Sequence, residues 1–164
     1  MGYLEAVTTA ASRALHQDEL DELNSTELGL DSLLGVVYSH AEPREVRAYL
    51  EVNSTHLQYA GSVNGGVFCS IAESVASVAS MISAQRPCVG VNNSTDFIRG
   101  VSSGRIEAIA RPIQTGKRTQ LWNVEMYNHD VLVARTTLRT MVVGPTIAEL
   151  LEQQGQRGQQ ARQG

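Results

Sequence analysis

The sequence is poor in the features that mark several protein classes. It holds two cysteines, Cys69 and Cys88, in 164 residues. They show no metal-ligand spacing and build no disulfide framework, so neither a zinc module nor a stapled secreted domain is expected. Basic charge is not in excess. The formal net charge of −4 argues against a nucleic-acid-binding protein. The opening residues Met1-Gly2-Tyr3-Leu4-Glu5-Ala6 lack a basic n-region and an apolar h-region, so no secretory signal is read and a cytoplasmic location is expected. On that expectation the Asn-Ser-Thr triplets at Asn24, Asn53 and Asn93 have no meaning as glycosylation sites. No internal repeat or second domain is evident. One long apolar run extends from Gly66 to Arg86, but its serines and Glu73 argue against a membrane span.

What is present suffices for one domain with a core, since 42% of residues are hydrophobic and 18% charged. From Tyr3 to about Leu15, Leu4, Val7, Ala11, Ala14 and Leu15 recur at helical spacing, and Leu20 and Leu23 extend the pattern. Leu30, Leu33 and Leu34 lead into a first strand at 35–39. After a turn at 41–44, Val46, Ala48, Leu50 and Val52 alternate with polar neighbours in a half-buried strand. Residues 54–63 read as a loop, and a helix follows over about 66–86, stopped by Pro87. Period-two segments then occupy 89–98, 105–113, 119–127 and 131–143, with turns at 114–118 and 128–130. Residues 146–154 fit a short helix, and the Gln/Gly/Arg-rich 156–164 a disordered tail. Short turns favour an antiparallel sheet, and one long helix must cover its apolar face. The order implies an α+β arrangement of two strands, a helix and a four-strand meander. The domain boundaries expected are 1–34 for an N-terminal helical segment, 35–144 for the main domain and 145–164 for the tail.

The central helix divides into three sectors when residues are placed at ~100° intervals. Val67, Phe68, Ile71, Val75, Val78 and Ile82 make a bulky face, and Cys69, Ala72, Ala76, Ala79 and Ser83 a small one. Ser70, Glu73, Ser74, Ser77 and Ser80 make a polar stripe that must line a cavity, a water channel or a subunit seam. Lys and Arg are absent between Arg47 and Arg86, so no cation lies near Glu73 in sequence. Either a distant cation pairs with it or it serves as base or nucleophile, with Ser77 and Ser70 flanking it on its own face. Asn64-Gly65-Gly66 is either a hairpin turn or a glycine-rich helix entrance. As an entrance it offers free N–H groups to negative charge, including the oxyanion that develops on a carbonyl, with Gln58 as an extra donor. Gly116-Lys117-Arg118-Thr119 is a basic tip, either solvated surface or a phosphate grip, and Arg99 is a second candidate. His16, His40, His56 and His129 have no Ser or Asp partner at a recognisable spacing, and Cys69 has no neighbour that would activate it.

Gln58, Gly61 and the segment Val63-Asn64-Gly65-Gly66-Val67-Phe68-Cys69-Ser70-Ile71-Ala72-Glu73 resemble the active-site segment of hotdog-fold acyl-CoA thioesterases. The likeness is to the actinobacterial-type 4-hydroxybenzoyl-CoA and phenylacetyl-CoA thioesterase-like group, and it covers roughly 35–143. It implies a long helix wrapped by an antiparallel sheet, chains paired into one continuous sheet, pairs assembled into homotetramers, and an active site at the pair interface. It also implies that an acyl- or aryl-acyl-CoA is hydrolysed without a cofactor or metal, coenzyme A being part of the substrate. By matched position Glu73 would be nucleophile or general base, Gly65 with Gly66 would bind the thioester oxygen, Gln58 would polarise it, and Ser77 would orient water. Arg99, Lys117, Arg118 and Thr119 would meet the coenzyme A phosphates. Two positions depart from the pattern: Asn64 replaces the usual histidine, and Gly100 the usual proline. A non-catalytic acyl-CoA-binding protein and a hotdog dehydratase are the competing functions.

Overall fold

The computed structural model describes residues 2–25 and 29–160, with side chains as far as 156. The first three helices are α1 (Tyr3–Ala10), α2 (Gln17–Asn24) and α3 (Leu30–Leu34), and the strands β1 (Val37–Glu42) and β2 (Glu45–Glu51) follow. The long helix is α4, Gly65–Ala84. It begins where Asn64 is extended and its side-chain Oδ1 accepts the Gly66 N–H at 2.8 Å, the bond that makes asparagine a favoured helix cap. It ends at Gln85, in the left-handed region at φ 51°. The bulky sector and Ala72, Ala76 and Ala79 are buried. Burying side chains such as Ile71 and Ile82 contributes about 1.5–3 kcal/mol each.

The remaining strands are β3 (Cys88–Phe97), β4 (Arg105–Thr115), β5 (Thr119–Asn128) and β6 (Val131–Val142), before a last helix α5 (Ile147–Gln160). All pairings are antiparallel, in the order β1-β2-β4-β5-β6-β3. The expected four-strand meander is therefore three strands long, because β3 lies at the far edge, against β6. The cause is α4, roughly 30 Å long at 1.5 Å per residue, which carries the chain across the sheet before β3 begins. It touches all six strands. The α+β reading holds, and β3 is left with one side of its ladder unpaired.

Three local expectations are corrected. The N-terminal pattern is two helices, because Leu15 donates its N–H to the Ala41 carbonyl of β1 at 3.0 Å and so leaves the helical ladder. Glu19 then organises the restart. It accepts the His16 N–H at 2.8 Å and is held by both Arg13 guanidinium nitrogens at 2.7 and 2.6 Å. The Leu30-Leu33-Leu34 cluster is helical, closed by Gly35 at φ 68°, so the first strand starts at Val37. The tail expected to be disordered continues α5 to Gln160. Its start is secured by Thr146, whose N–H reaches Glu149 Oε2 at 2.7 Å while the Glu149 N–H returns to Thr146 Oγ1 at 3.2 Å. Residues 161–164 lie outside the described part. Ala6, Val7, Leu20, Leu23 and Ile147 join the same buried cluster as α4 and the sheet.

Candidate active site

The loop before α4 is fastened before the helix begins. Asn53 Oδ1 accepts the Thr55 N–H at 2.9 Å and caps a single 3₁₀ turn, Ser54–His56. His56 is buried, with Nδ1 accepting the Asn53 N–H at 3.2 Å and Nε2 3.1 Å from the Leu34 carbonyl. Both ring nitrogens are thus engaged, and its own carbonyl takes the Asn64 N–H at 2.8 Å. It anchors the helix entrance instead of taking part in chemistry. Gln58 is exposed, and its Oε1 accepts the Ala60 N–H at 2.7 Å, which leaves the amide NH2 as the open end.

Of the two glycines, only Gly65 offers a donor. The Gly66 N–H is taken by Asn64, whereas the Gly65 N–H has no acceptor among the described residues. The ring of Phe97 lies directly over Gly65, where an added Cβ would sit 2.8 Å from the ring tip. Phe68 closes the same side, with ring centroids 6.2 Å apart. Gln58, Gly65, Phe68, Phe97 and Arg99 share a cleft of about 330 Å³ at this entrance.

Glu73 lies two turns on, in a separate cleft of about 170 Å³ with Gly90, Asn92, Asn93 and Leu138. In the single chain Glu73 is exposed, because the Cys69–Glu73–Ser77 edge of α4 runs beside the edge strand β3. Its carboxylate forms no hydrogen bond or ion pair among the described residues, and it rests over Gly90, where a Cβ would come 2.7 Å from Oε1. The serine stripe is divided among different tasks. Ser70 returns to the Gly66 carbonyl at 2.7 Å, Ser74 donates to Asp31, and buried Ser80 pairs with Thr140 at 2.9 Å. Asp31 also accepts the Tyr38 hydroxyl at 3.0 Å, and burial together with Asp31 pushes the phenol of Tyr3 up to about 12. Only Glu73 and half-buried Ser77 keep open polar ends, so the stripe opens outward at one place.

The basic residues do not converge within one chain. Arg99 is at the α4 entrance, whereas Lys117 shares a cleft of about 350 Å³ with Ser83, Arg86 and Gln120 at the other end of the helix. Arg118 and Thr119 are exposed at the hairpin tip, and their carbonyls take the Val142 and Gly116 N–H groups. Arg86 and Gln120 had no signal in sequence beyond their chemistry, since the cleft forms only when the β4–β5 hairpin meets the helix end. Phe97 was also missed as a site residue. Neither cysteine belongs to a metal-ligating cluster among the described residues, and burial pushes the Cys88 thiol up to about 11.

A family model described as the thioesterase superfamily matches residues 60–134, the stretch that holds both Gly65 and Glu73. The Mycobacterium tuberculosis protein Rv1847, which bears an esterase name, is 41% identical over 115 residues, covering 66% of this chain and 82% of that one. Its solved structure superposes with a TM-score of 0.69 at 39% identity, over 70% of this chain and 96% of that one. A mutant thioesterase from Pseudomonas aeruginosa, PA1618, gives a TM-score of 0.73 at 28% identity, over 80% and 99%. The 1,4-dihydroxy-2-naphthoyl-CoA hydrolase of Escherichia coli is 27% identical over 112 residues, covering 66% and 82%. Fold and matches together define the class, a hotdog-fold enzyme that hydrolyses thioesters. The chain belongs to the thioesterase superfamily.

Proposed function

We propose that the protein hydrolyses an acyl- or aryl-acyl-CoA thioester to the free acid and coenzyme A, with Glu73 as general base and the Gly65 N–H as oxyanion donor. The carrying observation is that one helix presents an unpaired N–H at a glycine entrance and an unpaired carboxylate beside a polar cleft. The E. coli relative that is named for a CoA thioester supports the substrate class. The cleft beside Glu73 is lined by Asn92 and Asn93 and is large enough for several waters at ~30 Å³ each, which favours base over nucleophile. Glu73 would take a proton from water as its oxygen attacks the carbonyl carbon. The oxyanion would rest on Gly65, with Gln58 as second donor. Collapse would break the C–S bond and return the proton to sulfur. Single turnover in 18O-water bears on this choice, since label on Glu73 requires an anhydride opened at the Glu73 carbonyl.

The two groups are eight residues apart, roughly 12 Å along the helix, too far to serve one carbonyl in one chain. A second copy resolves this. The unpaired edge of β3 exposes Val89, Val91, Phe97 and Ile98, and such an edge is normally covered. Antiparallel pairing of two β3 strands centred on Ser94 would bring Phe97, which covers Gly65, to the bulge beside Gly90 of the partner subunit. Each site would then combine Gly65 and Gln58 of one chain with Glu73 of the partner subunit, while Ser77 orients the water. Arg99, Lys117, Arg118 and Thr119 would serve the phosphates from opposite helix ends. A homodimer pairing into a homotetramer in the cytoplasm completes the proposal. Thiol release from aliphatic and aromatic CoA thioesters is its test. Activity in the wild type and a loss of about 10²–10⁴-fold in Glu73→Gln are expected, and binding without turnover across the panel would leave only an acyl-CoA-binding protein.

A further inference from the structure

We propose that Asn93 is a positioning residue for Glu73, acting through the Cys69 carbonyl. The inference rests on the reading of Glu73 as the catalytic carboxylate. Strand β3 meets α4 at three successive turns: Phe97 over Gly65, Asn93 at Cys69, and Gly90 beneath Glu73. The middle contact is directional, with Asn93 Nδ2 donating to the Cys69 carbonyl at 2.9 Å. In an α-helix that same carbonyl accepts the N–H of the residue four positions on, which is Glu73. Asn93 therefore grips the carbonyl to which the Glu73 N–H is bonded.

A half-buried relay that ends on buried Thr136 sets the orientation of the amide. Thr95 donates its hydroxyl to Asn93 Oδ1 at 2.7 Å, and lies 2.7 Å from the hydroxyl of Thr136, which is wholly buried. With the Thr95 proton committed to Asn93, Thr136 must be the donor to Thr95. Oδ1 is thereby held as acceptor and Nδ2 is turned to the helix. The two-residue repeat of a strand places Asn93 and Thr95 on one face, which gives the first and third residues of the Asn-Ser-Thr triplet a common task. One further feature concerns the same carboxylate. The ladder between β3 and β6 slips between Gly90 and Asn92, and this bulge brings a residue without a side chain under Glu73. Bulges next to active sites re-aim side chains in this way.

The test compares Asn93→Ala, Thr95→Val, Thr95→Ser and Glu73→Gln in thiol release from one CoA thioester, with melting temperatures measured alongside. Asn93→Ala and Thr95→Val are expected to lower kcat by about 10–100-fold, the scale of a misplacement approaching ~1 Å, with KM changed less than about twofold. Thr95→Ser, which keeps the hydroxyl, should restore kcat, and Asn93→Ala should cost nothing further in the Glu73→Gln background. If Asn93→Ala does not fold, the Thr95→Val and Thr95→Ser pair carries the test alone. Unchanged kcat in Asn93→Ala and Thr95→Val beside an inactive Glu73→Gln would overturn the proposal alone. A fully active Glu73→Gln would overturn the reading of Glu73 and this proposal with it.

Discussion

Replacing Gly65 by proline isolates one N–H group. Gly65 is the first residue of α4, where proline is well tolerated because the N–H has no helical partner. Asn64 stands at φ −63° and ψ 137°, a conformation that a following proline accepts. The cap survives, since Asn64 Oδ1 bonds the Gly66 N–H and the Asn64 carbonyl takes the Val67 N–H. The cost is steric. A Cβ at position 65 meets the tip of the Phe97 ring at 2.8 Å, so the ring must shift. Gly65→Ala carries the same Cβ and keeps the N–H, so it serves as the control. Loss of one oxyanion donor costs about 10²–10³ in kcat, or about 2.7–4 kcal/mol. Thiol release should therefore be at least about 100-fold slower in Gly65→Pro than in Gly65→Ala, at similar melting temperatures. A Gly65→Pro enzyme within about threefold of Gly65→Ala would refute Gly65 as the donor.

Four further outcomes follow from the geometry. Gly65→Pro and Glu73→Ala, each inactive alone, should regain about 25% of wild-type activity when denatured together and refolded, because half the random dimers are mixed and each mixed dimer rebuilds one site; no recovery beside confirmed mixed dimers would place both groups in one chain. Asn64→Ala should lower stability by about 1 kcal/mol through loss of the cap, read as a fall of roughly 2–4 °C in melting temperature. Asn64→His can cap α4 only while neutral, so its stability should fall further than that of the wild type below about pH 6.5. The hydrogen bonds from Arg13, helped by the His16 N–H, pull the Glu19 carboxyl down to about 2. A carboxyl depressed on folding contributes stability above its unfolded pKa of about 4.3 and loses it as pH falls through the folded value. The melting temperature should thus drop between about pH 4 and pH 2, and Arg13→Ala should flatten that part of the profile.

The parts of the fold that were legible in the sequence are those set by near neighbours. The helical period after Gly66 and the period-two segments after Pro87 depend on side chains a few residues apart, and they appear within a few residues of their expected limits. The glycine entrance and the single carboxylate were visible for the same reason. The split of the N-terminal helix was not, because it depends on Leu15 reaching Ala41 and on Glu19 gathering Arg13 and His16. Equally hidden was the end of α5, since a polar, glutamine-rich stretch has the composition of a loop whether or not a capping pair starts a helix.

By itself, then, the sequence determined that a glycine-opened helix carries one carboxylate eight residues from its first N–H, and that an antiparallel sheet covers its apolar face. Tertiary structure decided what those groups can do. It committed the Gly66 N–H to Asn64 and left Gly65 free, laid Phe97 over that glycine, and distributed the serines among Asp31, Thr140 and the backbone. It also sent β3 to the sheet edge, which leaves Glu73 at an open seam beside Gly90 and Asn93. These outcomes turn on which distant strand lies beside α4, and no local period encodes that choice.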